Sequence, residues 1–350
     1  MSTISLSQKF GLQAVAGEYA GAETVLRFGS VAEELKALRH GCGVFDLGWR
    51  GKLVVSGEDR VRWLNGMVSN NTRDLPQDFG NFSFVLNAQG HIQGDVMAFQ
   101  RGDFYMLECE AGEIATICGF LDKFIIMDDV EIGDVSDKLT SIGVGGPLAL
   151  QVLQSAGLPA GGLKPGELTD GSWDGHGFTL MRDPVTVRNW CELWLAPGNV
   201  EAFWNKLLSA GAVPVGAEAL EQQRILLGLP RVGVDTGARE LVQETEQDYA
   251  LHYAKGCYIG QEIVERVRAR GVVPRRFSGL MVEGGVVAPG SKIMAAEKEI
   301  GEVTSSAQVT LDGVAHSVAL GYVKRSAASE GDSVEVDGQA ARIVALPFQL

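Results

Sequence analysis

Helical periodicity stops at Arg276. From there to Leu350 the chain reads as short alternating segments, RFSGLMVEG, EIGEVTSSAQVT, AHSVALGYVK, DSVEVDG and ARIVALPF, divided by Gly, Asp or Pro turns. Strand signals recurring at roughly 8–12 residues with no helix between them define a small β-barrel. The boundary is expected near 271–276, at Gly271 and Pro274. With 350 residues the chain needs more than one core, because a single core rarely grows past about 250 residues.

Upstream, helices and strands mix in a grammar that occurs twice. The first pass opens on a helix over 31–40, with Ser30 and Glu33 as a capping box and Gly41 as a left-handed stop. A strand at 51–57 follows, then a helix capped by Ser56 that runs to about Gly66 with Trp63 and Leu64 on its apolar side. Strands at 82–87, 91–99 and 103–109 are joined by hairpin turns, and a helix near 111–123 and a strand near 129–134 complete the pass. The second pass has a strand at 140–146, a helix opened by Pro147, strands at 177–183 and 191–197, and helices at 198–209 and 217–227. The fold class is therefore α+β, with units expected at 1–135, 136–271 and 272–350. No residue-level repeat accompanies the duplication.

Charge and cysteine usage narrow the function. A formal net charge of -14 argues against a general nucleic-acid or anionic-membrane surface, which needs a dense positive footprint. The one basic stretch, ERVRARGVVPRR (265–276), reads as a solvated helix face. The N-terminus MSTISLSQKFGLQ has neither a basic nor an apolar leader region, and no apolar run reaches the ~20 residues of a membrane span. The cysteines, Cys42, Cys109, Cys118, Cys191 and Cys257, are odd in number and scattered, without a disulfide framework or a metal-ligand spacing. A cytoplasmic protein with reduced thiols and no metal site is expected. SIGVGGPLALQVL (141–153) lacks the spacing of a nucleotide cradle and reads as a tight strand-to-helix turn.

Two positions carry chemistry on local grounds. Asp95 sits in an otherwise apolar strand, where an acid either faces solvent or is held for use. Cys257 precedes a segment with helical spacing, GQEIVERVRARG, and has Lys255 two residues away. A helix N-terminus and a nearby cation both acidify a thiol, and Gly256 and Gly260 allow close approach. A buried inert cysteine is the plain alternative.

The octapeptide KGCYIGQE (255–262) resembles the signature of the YgfZ proteins, relatives of the glycine-cleavage T-protein (aminomethyltransferase). The segments at 43–71, 80–97 and 204–230 are similar to that family in the same order. The resemblance implies a three-domain cloverleaf, two α+β units around a central tetrahydrofolate site with a C-terminal barrel. It places Asp95 at the acid facing the reactive folate nitrogens, Glu192 and Arg182 on a second acid and its arginine, and Arg224 on the arginine before the turn. Lys255 and Tyr258 enter with the motif. Arg188 stands where an acid would hold the pterin, Phe82 where a pocket tyrosine is usual, Asn71 for an aspartate and Gly94 for the first of two adjacent acids. The implied catalytic residues are Cys257 and Asp95. The cofactor set is Asp95, Asn71, Phe82, Glu192, Arg224, Lys255 and Tyr258, around tetrahydrofolate or a derivative. The implied function is folate-dependent support of iron–sulfur cluster assembly or repair in client proteins such as tRNA-modifying radical enzymes, without direct contact to nucleic acid or membrane. The alternative is a tetrahydrofolate-dependent aminomethyl- or methyl-transferase.

Overall fold

A computed structural model describes residues 14–271 and 273–350. The leader reading of the first thirteen residues lies outside them. Among the described residues no helix is long and apolar enough to cross a membrane. The chain forms two compact units. One takes the residues up to 85 with 94–220 and 249–258, and the other takes 86–93, 221–248 and 259–350.

In chain order the residues up to 227 supply β1 (Val15–Tyr19), β2 (Ala22–Arg27), α1 (Val31–His40), β3 (Gly43–Asp46), β4 (Arg50–Ser56), α2 (Arg60–Met67), β5 (Gly80–Leu86), β6 (Ile92–Gln100), β7 (Tyr105–Glu110), α3 (Ile114–Leu121) and β8 (Glu131–Asp134). They continue with β9 (Thr140–Gly145), α4 (Ala149–Ser155), β10 (Leu168–Trp173), β11 (His176–Arg182), β12 (Trp190–Leu195), α5 (Val200–Ser209), β13 (Val213–Val215) and α6 (Ala217–Leu227). Two sheets result, ordered β5-β6-β7-β4-β8 and β10-β11-β12-β9-β3-β13. Strand β3, from the first pass, lies inside the second sheet between β9 and β13. The sheets therefore interleave along the chain and do not divide at residue 135.

Each sheet of the first unit has one face covered by helices. Leu53, Val55, Val96, Ala98, Leu107 and Cys109 point to one side of the first sheet and pack with Trp63 and Leu64 of α2 and Ile117 of α3. Cys191, Leu193 and Leu195 of β12 pack with Val152, Phe203 and Trp204 of α4 and α5. Side chains alternate along a strand, so the intervening residues of both sheets point the other way. Phe99 of β6 meets Trp194 of β12 edge-on at 5.1 Å, which shows that these second faces meet each other.

The expected elements stand, with corrections at their ends. Ser30 does precede α1 but its side chain makes no cap bond, and Gly41 has φ -133, outside the left-handed region. The missing work falls to the buried Glu34, whose carboxylate accepts from the N–H groups of Phe28, Gly29 and Gly216 at 2.8 Å each. Helix α2 starts after Asp59 rather than Ser56. Strands β1, β2, β3, β10 and β13 are additions that the alternation did not reveal. Pro147 stands two residues ahead of α4, and the turn before it is tight: Gly146 has φ +110, and a Cβ there would lie 2.5 Å from the Gly41 carbonyl oxygen. Gly146→Ala is expected to cost ~1–3 kcal/mol from the backbone conformation alone, read as a lower urea midpoint with an unchanged slope.

The second unit is the barrel with its approach. After α7 (Gln261–Arg270) come β14 (Arg275–Val282), β15 (Lys292–Ala295), β16 (Lys298–Leu311), β17 (Val314–Lys324), β18 (Ser333–Val336) and β19 (Gln339–Val344). They close as β14-β17-β16-β15-β18-β19 around Leu280, Ile293, Val303, Val336 and Ile343. The basic stretch is neutralised in part: Arg266 pairs with Glu262 and Arg268 with Glu265 on α7, and Arg275 with Glu244. The part on α7 is the solvated helix face the sequence described, whereas Arg275 and Arg276 fall in β14 and are half-buried.

Candidate functional site

The facing sides of the two sheets carry charge. Lys52 of β4 and Glu108 of β7 are register partners across the ladder, and Arg50 lies two residues from Lys52 on the same face. Lys52 is fully buried with its Nζ 2.9 Å from Glu108 Oε2, and Arg50 Nε donates to the other oxygen. Two cations pull the Glu108 carboxyl down to about 2 against the cost of its burial. From the opposite sheet comes Glu192, fully buried, with neither oxygen hydrogen-bonded among the described residues. Burial and the neighbouring Glu108 charge push its carboxyl up, against the pull of Lys52 and Arg50. The Lys52 ammonium lies 5.7 Å over the Trp194 ring.

Asp95 stands on the same face of the first sheet, two residues before Met97, which is the register partner of Glu108. It is half-buried by surface exposure, yet protein surrounds its carboxyl closely enough that desolvation lifts it from 3.8 to about 6. Arg50 and Arg188 oppose that lift, and Glu110 adds to it. The solvent-face alternative for this acid is set aside. Arg50 feels the carboxyls of Glu108, Glu192 and Asp95 together. Glu192 thus belongs to the buried charge set with Lys52 and Arg50.

A second group forms where residues 249–258 lie against the loop after α2. The Lys255 ammonium donates to the carbonyls of Val68 and, at 2.6 Å, Asn70, and lies 4.9 Å over the Tyr258 ring. Burial lowers it to about 7. The Asn70 amide in turn donates to the carbonyls of Phe82 and Tyr249 at 2.9 Å. The Phe82 ring packs on Phe84 and Tyr249. Asn71 spends its side chain on Asp74, with Nδ2 2.7 Å from the carboxylate. Both groups belong to the first unit.

Three expected placements change. Lys255 faces two carbonyls and a ring and is buried, so it is not the cation beside the Cys257 thiol. Helix α7 begins at Gln261 with Gly260 in the left-handed conformation, so Cys257 lies four positions ahead of the first helical residue, and the dipole acts only within the first turn. Cys257 itself is exposed. Arg224 belongs to the second unit and is occupied by Asp235 at 2.6 Å, Glu221 and Ser305. Arg182 donates to the Leu163 carbonyl. Arg188, where an acid was expected, pairs with the buried Asp183 at 3.2 Å and lies over Trp190 at 5.4 Å.

Arg50, Lys52 and Glu108 escaped the sequence reading. The available signal was charge inside strands that are otherwise buried on both faces, in GWRGKLVV and YMLECE.

Residues 8–255 match the GCVT N-terminal domain and residues 275–349 the glycine cleavage T-protein C-terminal barrel domain. The chain belongs to the glycine cleavage T-protein family. The aminomethyltransferase of Lysinibacillus sphaericus is 27% identical, over 97% of this chain and 95% of its own. That of Thermus thermophilus is 28% identical over 95% and 94%. The crystal structure of glycine cleavage system aminomethyltransferase T from Bartonella henselae superposes with a TM-score of 0.87 at 24% identity, over 99% of this chain and 96% of that one, and shares its fold.

Proposed function

We propose that the chain binds a reduced folate, tetrahydrofolate or a derivative, at the inner face of the first unit and handles one-carbon groups in the manner of the aminomethyltransferases it resembles. The observation that carries this reading is Asp95. A carboxyl lifted to about 6 is tuned to hold or release a proton near neutral pH, which is what a weakly basic ring nitrogen requires of its partner. When bound, the folate supplies the nitrogen that takes up the one-carbon unit. Asp95 holds a proton there. The Arg50 charge favours its ionised form, and Glu108 holds Arg50. Phe82 and Tyr249 offer aromatic surface, and Lys255 ties the segment bearing Tyr249 to the loop bearing Asn70.

The residues fit a folate at Asp95 and differ at Arg188. A guanidinium has donors only, and this one is already spent on Asp183, so pterin N–H groups find no acceptor at that position. The expected consequence is a pose, or an affinity, unlike that of transferases with an acid there. Mass spectrometry of ligand retained by the purified chain tests the reading. A reduced folate in the wild type that is lost in Asp95→Ala supports it, and a different retained ligand overturns it.

Exposure of Cys257 favours a second reading, the iron–sulfur support role of the YgfZ proteins. Burial pushes the thiols of Cys42, Cys109 and Cys191 up to about 12, and that of Cys118 is also raised. The thiolate is the reactive form, so a limiting alkylating reagent at pH 7 should label Cys257 first and the others slowly or only after unfolding. On this reading Cys257→Ser binds folate normally and fails to restore iron–sulfur enzyme activity in cells lacking the protein. Full complementation by Cys257→Ser removes it.

A further inference from the structure

A folate carries a glutamate at the end opposite its pterin, so its site has carboxylates to meet as well as a ring nitrogen. The cations already placed in the first unit are engaged. Arg50 and Lys52 hold Glu108, Arg188 holds Asp183, and Lys255 donates to the carbonyls of Val68 and Asn70. Arg73 is different. Its side chain is exposed and has neither a hydrogen bond nor an ion pair among the described residues.

Two observations connect Arg73 to the folate site. The first is how firmly its loop is held. Ser69 Oγ donates to the Ala250 carbonyl at 2.6 Å and accepts from the Phe84 N–H at 2.8 Å. The Tyr105 hydroxyl donates to the Thr72 carbonyl at 2.8 Å. Asn65 Oδ1 accepts from the N–H groups of Thr72 and Arg73 at 3.2 and 3.3 Å. The adjacent acid, Asp74, accepts from the Asn71 amide at 2.7 Å. A fixed loop thus presents a guanidinium that the fold itself does not use. The second observation is an aromatic path that leads to this loop. Val85 and Val96 pack under the helices, so their neighbours Phe84 and Asp95 share the opposite, inner face. From Phe84 the rings continue to Phe82 at 5.4 Å and on to Tyr249 at 5.7 Å. Tyr249 is 42% exposed, and its carbonyl accepts from Asn70, three residues before Arg73.

We propose that Arg73 receives a glutamate carboxylate of the bound folate, with the benzoyl ring lying along Phe82 and Tyr249. The inference rests on the folate reading and adds a direction to it: the reactive nitrogen at Asp95, the glutamate at the loop after α2. Arg73 is then a specificity residue that favours glutamate-bearing folates over a reduced pteroate.

Calorimetric titration of the full chain with tetrahydrofolate and with tetrahydropteroate, which lacks the glutamate, tests it. The wild type should bind tetrahydrofolate about 5-fold more tightly, the worth of one exposed ion pair at its upper end. Arg73→Ala should bring tetrahydrofolate down to the affinity of tetrahydropteroate and leave tetrahydropteroate unchanged. Arg73→Lys should keep part of the preference. Added salt should erode the preference in the wild type and have none to erode in Arg73→Ala. The thermal midpoint of Arg73→Ala without ligand should match that of the wild type, because the side chain has no structural partner to lose. If the wild type binds both ligands equally, or Arg73→Ala weakens both alike, the inference is overturned while the folate reading stands. If neither ligand binds the wild type, the folate reading falls and the inference falls with it.

Discussion

Glu108→Ala is expected to lower the unfolding free energy by ~3–5 kcal/mol, the cost of leaving buried cations without their counter-ion. Lys52 is fully buried and Arg50 is 7% exposed, so water cannot replace the lost carboxylate. The physics also predicts a partial rescue. Burial first and the Glu108 charge second raise the Glu192 carboxyl; with Glu108 gone that repulsion goes, and Lys52 and Arg50 favour the ionised form. The loss for Glu108→Ala alone should therefore lie toward the lower end, and adding Glu192→Gln should cost more in the Glu108→Ala background than in the wild type. Urea unfolding of the four proteins in the cycle measures this coupling. Additive effects would show that the four side chains do not act as one charge set.

Asp95→Asn is expected to do opposite things to stability and to function. Its carboxyl is raised from 3.8 to about 6 in the folded chain. A raised acid contributes fully below its unfolded value, and that contribution is lost as pH rises through the folded value. At pH 7 the wild type therefore carries a burden of about 1–3 kcal/mol, the lower figure allowing for partial exposure, at ~1.4 kcal/mol for each pH unit of lift. Asparagine removes the burden, so the advantage of Asp95→Asn should be near zero below pH 4 and full by pH 7. The same substitution removes the proton-holding group, and folate-dependent transfer should fall by about 10²–10⁴-fold. Thermal midpoints across pH, set beside turnover, check both halves. A substitution that destabilises at every pH would mean that Asp95 is held for structure.

The fold was legible to the extent that it rests on local patterning. The barrel announced itself through turn spacing, and the helices through periodicity and terminal glycines such as Gly271, which has φ +73. Caps were less legible, since Glu34 serves Gly216 across 182 positions and no window of sequence contains both. The same limit hid the charge set. Lys52 and Glu108 become neighbours only through the register of β4 on β7, and Glu192 joins them from another sheet. Asp95 was visible because an acid in an apolar strand is anomalous by itself. Lys255 was visible for the wrong reason: sequence proximity to Cys257 stood in for a contact, while its ammonium reaches back to Asn70.

The central claim is that the inner face of the first unit holds a reduced folate with Asp95 beside it. Calorimetric titration of the wild type and Asp95→Ala with tetrahydrofolate tests it most directly. Saturable binding is expected in the wild type, weakened in Asp95→Ala by ~1–3 kcal/mol, or about 5- to 150-fold. No heat of binding in the wild type, or equal affinities in the two proteins, would contradict it.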